Sequence, residues 1–177
     1  IQLKNENDDT DVEFHYEGGI KEFVAYLNKN RRTIHPEPIY LLKEEEGITV
    51  EVAMQYNDGY TETELSFANN INTVEGGTHL IGFRSALTRT LNQYAEKTNL
   101  AKGIKMTSDD VVEGIAAVIS VKVPEPQFEG QTKAKLGSME AQGAVATVFG
   151  EAFNNFLEEN PDEAKAIINK SILALKA

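Results

Sequence analysis

Apolar positions along this chain change period several times, and each change marks an element. Val12, Phe14 and Tyr16 alternate within an acidic stretch and suit an edge strand. After Gly18-Gly19, the residues Ile20, Phe23, Val24 and Leu27 fall at helical spacing and predict an amphipathic helix over 20–27. Arg31-Arg32-Thr33 and the prolines Pro36 and Pro38 end it, which places a domain boundary near residue 33 and divides 1–33 from 34–177. Three strands are predicted next, at 39–42, 48–54 and 60–67. Ile48, Val50, Val52 and Met54 line one face of the second. Glu46-Gly47 marks a turn. Asn57-Asp58-Gly59 reads as a hairpin, because Asp and Gly tolerate positive φ. Together these strands are expected to form an antiparallel meander.

The second half returns to helical periods. Asn69 through Thr73 and Gly76-Gly77-Thr78 read as loop. A helix over about 82–97 then carries Phe83, Leu87, Leu91 and Tyr94 on its core face, with Arg89 nearly opposite and Arg84 on the flank. Ser108-Asp109-Asp110 begins a short helical turn. Residues 115–123 form the most strand-like segment, apolar nearly throughout at its start and so expected at the centre of the sheet. Pro124 and Pro126 end it. Ser138 is placed to cap a helix reaching about Leu157, and Asn160-Pro161-Asp162-Glu163 is a second start signal. Ala164, Ile167, Ile168, Ile172 and Leu175 continue at helical spacing. The pattern is that of an α+β domain: one mixed sheet with helices on one face and a long C-terminal helix.

Composition narrows the classes. At 177 residues, 41% hydrophobic and 25% charged, the chain suits one domain with a real core. No apolar run is long enough to span a membrane, and the start shows no secretory signal pattern. The missing initiator Met, and a last helix without a C-cap, suggest a fragment of a longer chain. With zero cysteines, disulfides, thiolate catalysis and Cys-ligated metal are excluded, which is compatible with the cytosol. His15, His35 and His79 lack metal-ligand spacing, so no metal site is expected. No Gly-x-Ser-x-Gly elbow appears. Glu44-Glu45-Glu46 and Asp8-Asp9 read as exposed turns.

Charge is unevenly spread. The net is −11, yet residues 79–106 hold Arg84, Arg89, Lys97, Lys102 and Lys105 against Glu96 alone. A basic stretch in an acidic protein suits a nucleic-acid-facing surface, but on charge alone an ordinary solvated helix face is the favoured reading. The other chemically suggestive feature is the polar run Phe128 to Gly137, where Gln131 and Lys133 stand one residue apart between a strand and a helix. An ammonium and an amide NH₂ supply the donors that a phosphate requires. Glu75-Gly76-Gly77-Thr78-His79 lacks the strand-to-helix pattern of a phosphate-binding loop. It reads as a turn and helix lead-in, with His79 satisfied by a backbone group.

The run Phe128-Glu129-Gly130-Gln131-Thr132-Lys133-Ala134-Lys135-Leu136-Gly137 resembles the Gln-Thr-Lys loop found in the ATPase proteins of type II DNA topoisomerases, the bacterial DNA gyrase B family. The blocks from Phe14 to Phe23, Ser66 to His79, Gly82 to Arg89 and Ile115 to Lys122 resemble the same family in the same order, so the resemblance covers nearly the whole chain. It implies a transducer domain at 34–177, preceded at 1–33 by the last piece of an ATPase domain. The implied fold is ribosomal protein S5 domain 2-like, with a left-handed βαβ crossover. By the same resemblance, Gln131 and Lys133 reach the γ-phosphate of ATP held mainly by the preceding domain, with Lys133 the coupling residue. Arg84 and Arg89 would face a passing DNA segment. Implied partners are DNA, gyrase A and a second copy of gyrase B, in the cytoplasm; Mg²⁺ belongs to the intact enzyme and not to this stretch.

The nucleotide-binding asparagine helix, the Gly-rich lid and the acidic cleavage domain are absent, so the fragment alone is expected neither to hydrolyse ATP nor to cleave DNA. Ser138-Met139 also departs from the Asn-Ser that often follows the loop. Within the family the alternative is topoisomerase IV. Outside it, the alternative is the middle domain of a related ATP-dependent chaperone or mismatch-repair protein acting as a protein-binding module.

Overall fold

The computed structural model describes residues 19–100, 103–129 and 135–176. The edge strand expected around Val12, Phe14 and Tyr16 lies outside them. Helix α1 (Gly19–Leu27) precedes strands β1 (Ile39–Glu45), β2 (Ile48–Tyr56), β3 (Thr63–Ala68) and β4 (Ile71–Asn72). Helices α2 (Thr78–Thr98) and α3 (Ser108–Val111) lead to β5 (Ile115–Lys122). The short strands β6 (Phe128–Glu129) and β7 (Lys135–Leu136) are followed by α4 (Met139–Glu159) and α5 (Pro161–Lys176).

The main sheet runs β1-β2-β5-β3-β4, with β3 parallel to β5 and every other pairing antiparallel. Strand β5 is central, as its composition predicts: from Ile115 to Val121 only Ser120 is not fully buried. Inward residues of β2 and β5, among them Val52, Met54, Ala117 and Ile119, meet α2 and α4 in the large core. Alternate residues Ala53, Phe67, Ala116 and Val118 face the other way and pack on Ile20, Phe23 and Val24 of α1. Helices therefore cover both faces, a correction to the one-face expectation. The physical reason is period two: a strand apolar at every position has two faces to bury.

The meander is also corrected. Strands β2 and β3 do not pair; β5 lies between them. Asn57-Asp58-Gly59 makes no hairpin because its polar groups are already committed. Asn57 is buried, its N–H donates to Gly114 O at 2.8 Å, and its amide donates to Asn28 Oδ1 at 2.9 Å. Thr33 bridges Asn57, and Asp58 N donates to Arg32 O. The two-residue hairpins fall elsewhere. Glu46-Gly47 joins β1 to β2 with φ 52° and 82°. Asn69-Asn70 joins β3 to β4 with φ 51° and 68°, the pair of positive values a type I′ turn requires.

Helices α2 and α4 pack closely along their length. A Cβ at Gly82 would press into the Gln142 backbone, so only glycine permits this approach. Phe83 and Phe149 rings meet at 4.8 Å between centroids, and Phe149 stacks on Phe153 at 5.2 Å. Asn160 closes α4, its amide donating back to Phe156 O, while its carbonyl accepts the first N–H bond of α5 from Ala164.

Candidate functional site

Gln131 and Lys133 lie outside the described residues, and the residues on either side of them form a hydrogen-bonded frame. Strands β6 and β7 pair antiparallel, Phe128 with Leu136 and Glu129 with Lys135. Gly137 N donates to Gln127 O at 2.6 Å below them. Ser138 occupies the N-cap position of α4 but makes no side-chain cap. Its Oγ accepts the N–H of Gln127 at 2.8 Å, tying the hairpin's two legs together.

One segment, residues 69–79, braces both the exit of β5 and the β7 side of this hairpin. Asn69 makes a two-point bond to the Val123 backbone: Nδ2 donates to the carbonyl at 2.9 Å, and Oδ1 accepts the N–H at 2.7 Å. Gly77 forms a parallel bridge with Leu136, whose N–H donates to Gly76 O at 3.1 Å. Thr78 Oγ1 donates to Ser138 O at 2.5 Å. The Gly-Gly-Thr block is thus a docking slot for β7. His79 is fully buried at its rear, and burial lowers its pKa to about 4, so the ring is neutral. Its Nε2 meets Thr73 Oγ1 at 3.1 Å, a side-chain hydroxyl where a backbone group was expected.

The second cluster lies on α2. Arg84, Ser85, Thr88, Arg89, Asn92 and Lys105 line an open groove of about 700 Å³. Arg89 is exposed; Lys97 is paired with Glu158; Lys102 lies outside the described residues. Arg84 is engaged: Nε donates to Glu64 Oε1 at 2.9 Å, and Nη2 donates to the same oxygen at 2.6 Å and to Glu62 Oε2. Sequence reasoning passed over both glutamates. Their spacing of two places them on one side of an extended chain, but no local pattern marks that side as buried.

Glu64 is the buried member, its side chain 4% exposed. Burial first, then the neighbouring Glu62, push its carboxyl up from 4.5 to about 7, against the pull of Arg84. Because the folded value lies above the unfolded one, this group favours folding fully below pH 4.5 and loses that contribution as pH rises through 7. Thermal unfolding followed from pH 5 to 8 should therefore show Glu64→Gln gaining on the parent as pH rises; a pH-independent difference would count against it.

Solved structures that share this architecture include ATP-binding regions of DNA topoisomerases. The 43K ATPase domain of Thermus thermophilus gyrase B, solved with an aminocoumarin, superposes with a TM-score of 0.83 at 41% identity, over 89% of this chain and 43% of that one. The topoisomerase IV ATP-binding domain of Francisella tularensis gives 0.78 at 32% identity, over 92% of this chain and 44% of that one. The family model for DNA gyrase B matches residues 19–177. The DNA gyrase B protein of Bacillus mycoides is 53% identical over 167 residues, 93% of this chain. The chain belongs to the DNA gyrase B family. It spans 41% of the length of that relative.

Proposed function

We propose that this chain is the transducer portion, with a preceding remnant at 1–33, of an ATP-hydrolysing type II topoisomerase that supercoils DNA. Lys133 and Gln131 contact the γ-phosphate of ATP held mainly by another domain, and the hairpin converts that contact into movement of α4. The observation that carries this reading is the frame around residues 130–134: a short ladder bonded at its base to residues 69–79 and continuous with a 21-residue helix. The donor set fits a phosphate, because Lys133 and Gln131 offer protons and no negative charge, and the nearby Glu129 is paired with Lys135 at 3.6 Å. ATP supplies the terminal phosphoryl whose charge the ammonium senses. Loss of that phosphoryl removes a differential contact and shifts the equilibrium between hairpin positions.

On this reading the β3–α2–β5 connection is the left-handed crossover of an S5 domain 2-like fold. Arg84 and Arg89 face duplex DNA. Gyrase A and a second copy of gyrase B complete the assembly in the cytoplasm, with Mg²⁺ bound outside this chain. The 53% identity to a DNA gyrase B protein supports gyrase.

A structure of the intact protein trapped with a non-hydrolysable ATP analogue should place Lys133 Nζ within hydrogen-bond reach of the γ-phosphate. Finding that ammonium in bulk water would overturn the assignment. For the DNA face, Arg89→Ala should lower duplex affinity alike for all sequences and reduce the slope of log affinity against log salt by about 1. An unchanged slope in a salt titration would remove Arg89 from the interface.

A further inference from the structure

Arg84 bridges from the protein interior to solvent, and two carboxylates already occupy it. Glu64 presents one oxygen to both Nε and Nη2, and Glu62 takes a further bond from Nη2. The side chains are 4% exposed for Glu64, 34% for Glu62 and 36% for Arg84, so the guanidinium has one side in the core and the other on the groove. Glu64 Oε2 is buried with no hydrogen-bond partner. Two acids against one base is an unusual arrangement for a simple structural ion pair. A guanidinium fork fits carboxylate and phosphate with the same geometry, so the two anions are direct competitors for it.

We propose that Glu62 and Glu64 act as an internal counter-anion that holds Arg84 in place of a nucleic-acid phosphate. Glu64 is then a positioning residue that sets how much positive charge α2 offers to duplex DNA. The inference rests on the DNA-facing reading of α2 given above.

The charge count gives it a direction. The groups facing the cluster are Glu62 just before β3, Arg84 on α2, Asp109 on α3 and the Tyr56 phenol on β2. Tyr56 donates to Val111 O and stays neutral. With one proton shared between the glutamates, their single negative charge cancels Arg84. With both ionised the trio is net negative, holds the guanidinium more firmly and repels phosphate. Glu64 titrates near neutrality, with burial the main cause, so the change falls between pH 6 and 8.

The test is duplex DNA binding by the intact protein, in salt titrations at pH 6 and pH 8. The parent should bind more weakly at pH 8, with a slope of log affinity against log salt shallower by about 1, the effect of losing about one phosphate contact. Glu64→Gln should abolish that difference and bind at pH 8 as the parent does at pH 6. In an Arg84→Ala background Glu64→Gln should change nothing. Should Glu64→Gln fail to fold, Glu62→Gln, at a more exposed position, should shift binding the same way by a smaller factor. Parent-like pH dependence in the Gln variant, or a Glu64→Gln effect that survives Arg84→Ala undiminished, would overturn the counter-anion. If Arg84→Ala and Arg89→Ala both leave affinity and salt slope untouched, the DNA-facing reading has failed and takes this inference with it. If Arg84→Ala weakens binding while both Gln variants keep the parental pH dependence, the counter-anion alone has failed.

Discussion

Lys133→Ala in the intact protein should reduce ATP-driven supercoiling by about a thousandfold while nucleotide affinity falls little. A unit charge pair at about 4 Å and an effective dielectric near 20 is worth roughly 4 kcal/mol before desolvation, and each 1.36 kcal/mol is about tenfold in rate. The loss should appear in turnover because the contact is made only in one position of the hairpin. An interaction present in one state and absent in the other acts on the conversion between them. Adenine, ribose and the inner phosphates are held by another domain on this reading, so equilibrium binding of ATP has other support. Lys135 offers no substitute: it sits on the ladder opposite Glu129 and is paired with it. Gln131→Ala removes a neutral donor, worth about 0.5–1.5 kcal/mol net, and should slow turnover only about tenfold or less. Supercoiling assays, fluorescence titration with an ATP analogue and circular dichroism together separate the outcomes. Parental supercoiling by the alanine variant would defeat the coupling role, and a collapse of nucleotide affinity in a folded variant would recast Lys133 as a simple binding residue.

Local physics made some of this molecule legible in advance and left other parts hidden. Strand β5 announced its central place because nearly every position is apolar. The core face of α2 was equally clear, since Phe83, Leu87 and Leu91 are all fully buried where the helical period put them. The turn at Asn57 misled because its outcome is decided by distant partners. Asn28 and Gly114, far away in sequence, claim the groups a hairpin would have used. The parallel pairing of β3 with β5 belongs to the same class, as no local pattern encodes which strand slides between two others. Glu64 was hidden by its own alternation: Leu65 and Phe67 mark one face as apolar, which suggests that Glu64 and Ser66 are solvated. With α1 on one face and α2 on the other, both sets are covered, and the carboxylate needs Arg84. Gln131 and Lys133 came from resemblance. Their donors suit a phosphate, but a bare Gln-x-Lys in a polar turn reads first as solvated.

Gly77→Ala should destabilise the domain by about 3–5 kcal/mol, combining a strained backbone with a forced contact. Gly77 adopts φ 135° and ψ −162°, a region open in practice to glycine alone. An added Cβ would also stand 2.5 Å from Leu136 N and 2.9 Å from its carbonyl carbon. Those atoms are backbone in a fully buried residue, so no side-chain rotation relieves the overlap. Relief requires β7 to back away, and that motion breaks the Leu136–Gly76 bond and strains the one from Thr78 to Ser138. Gly47 is the internal control. It too has positive φ, 82°, but nothing lies within 4 Å of its added Cβ, so Gly47→Ala should cost only about 1–2 kcal/mol of strain. Urea unfolding of both variants gives the comparison directly, and amide exchange at Leu136 and Gly137 locates the damage. The slot accounts for this glycine only if the two costs differ by well over 1 kcal/mol and the extra exchange concentrates at β7. Equal costs would mean that backbone strain alone explains Gly77. The hairpin would then be held by its own ladder and by the bonds of Gln127 to Gly137 and Ser138, with residues 76–78 contributing little to its seat.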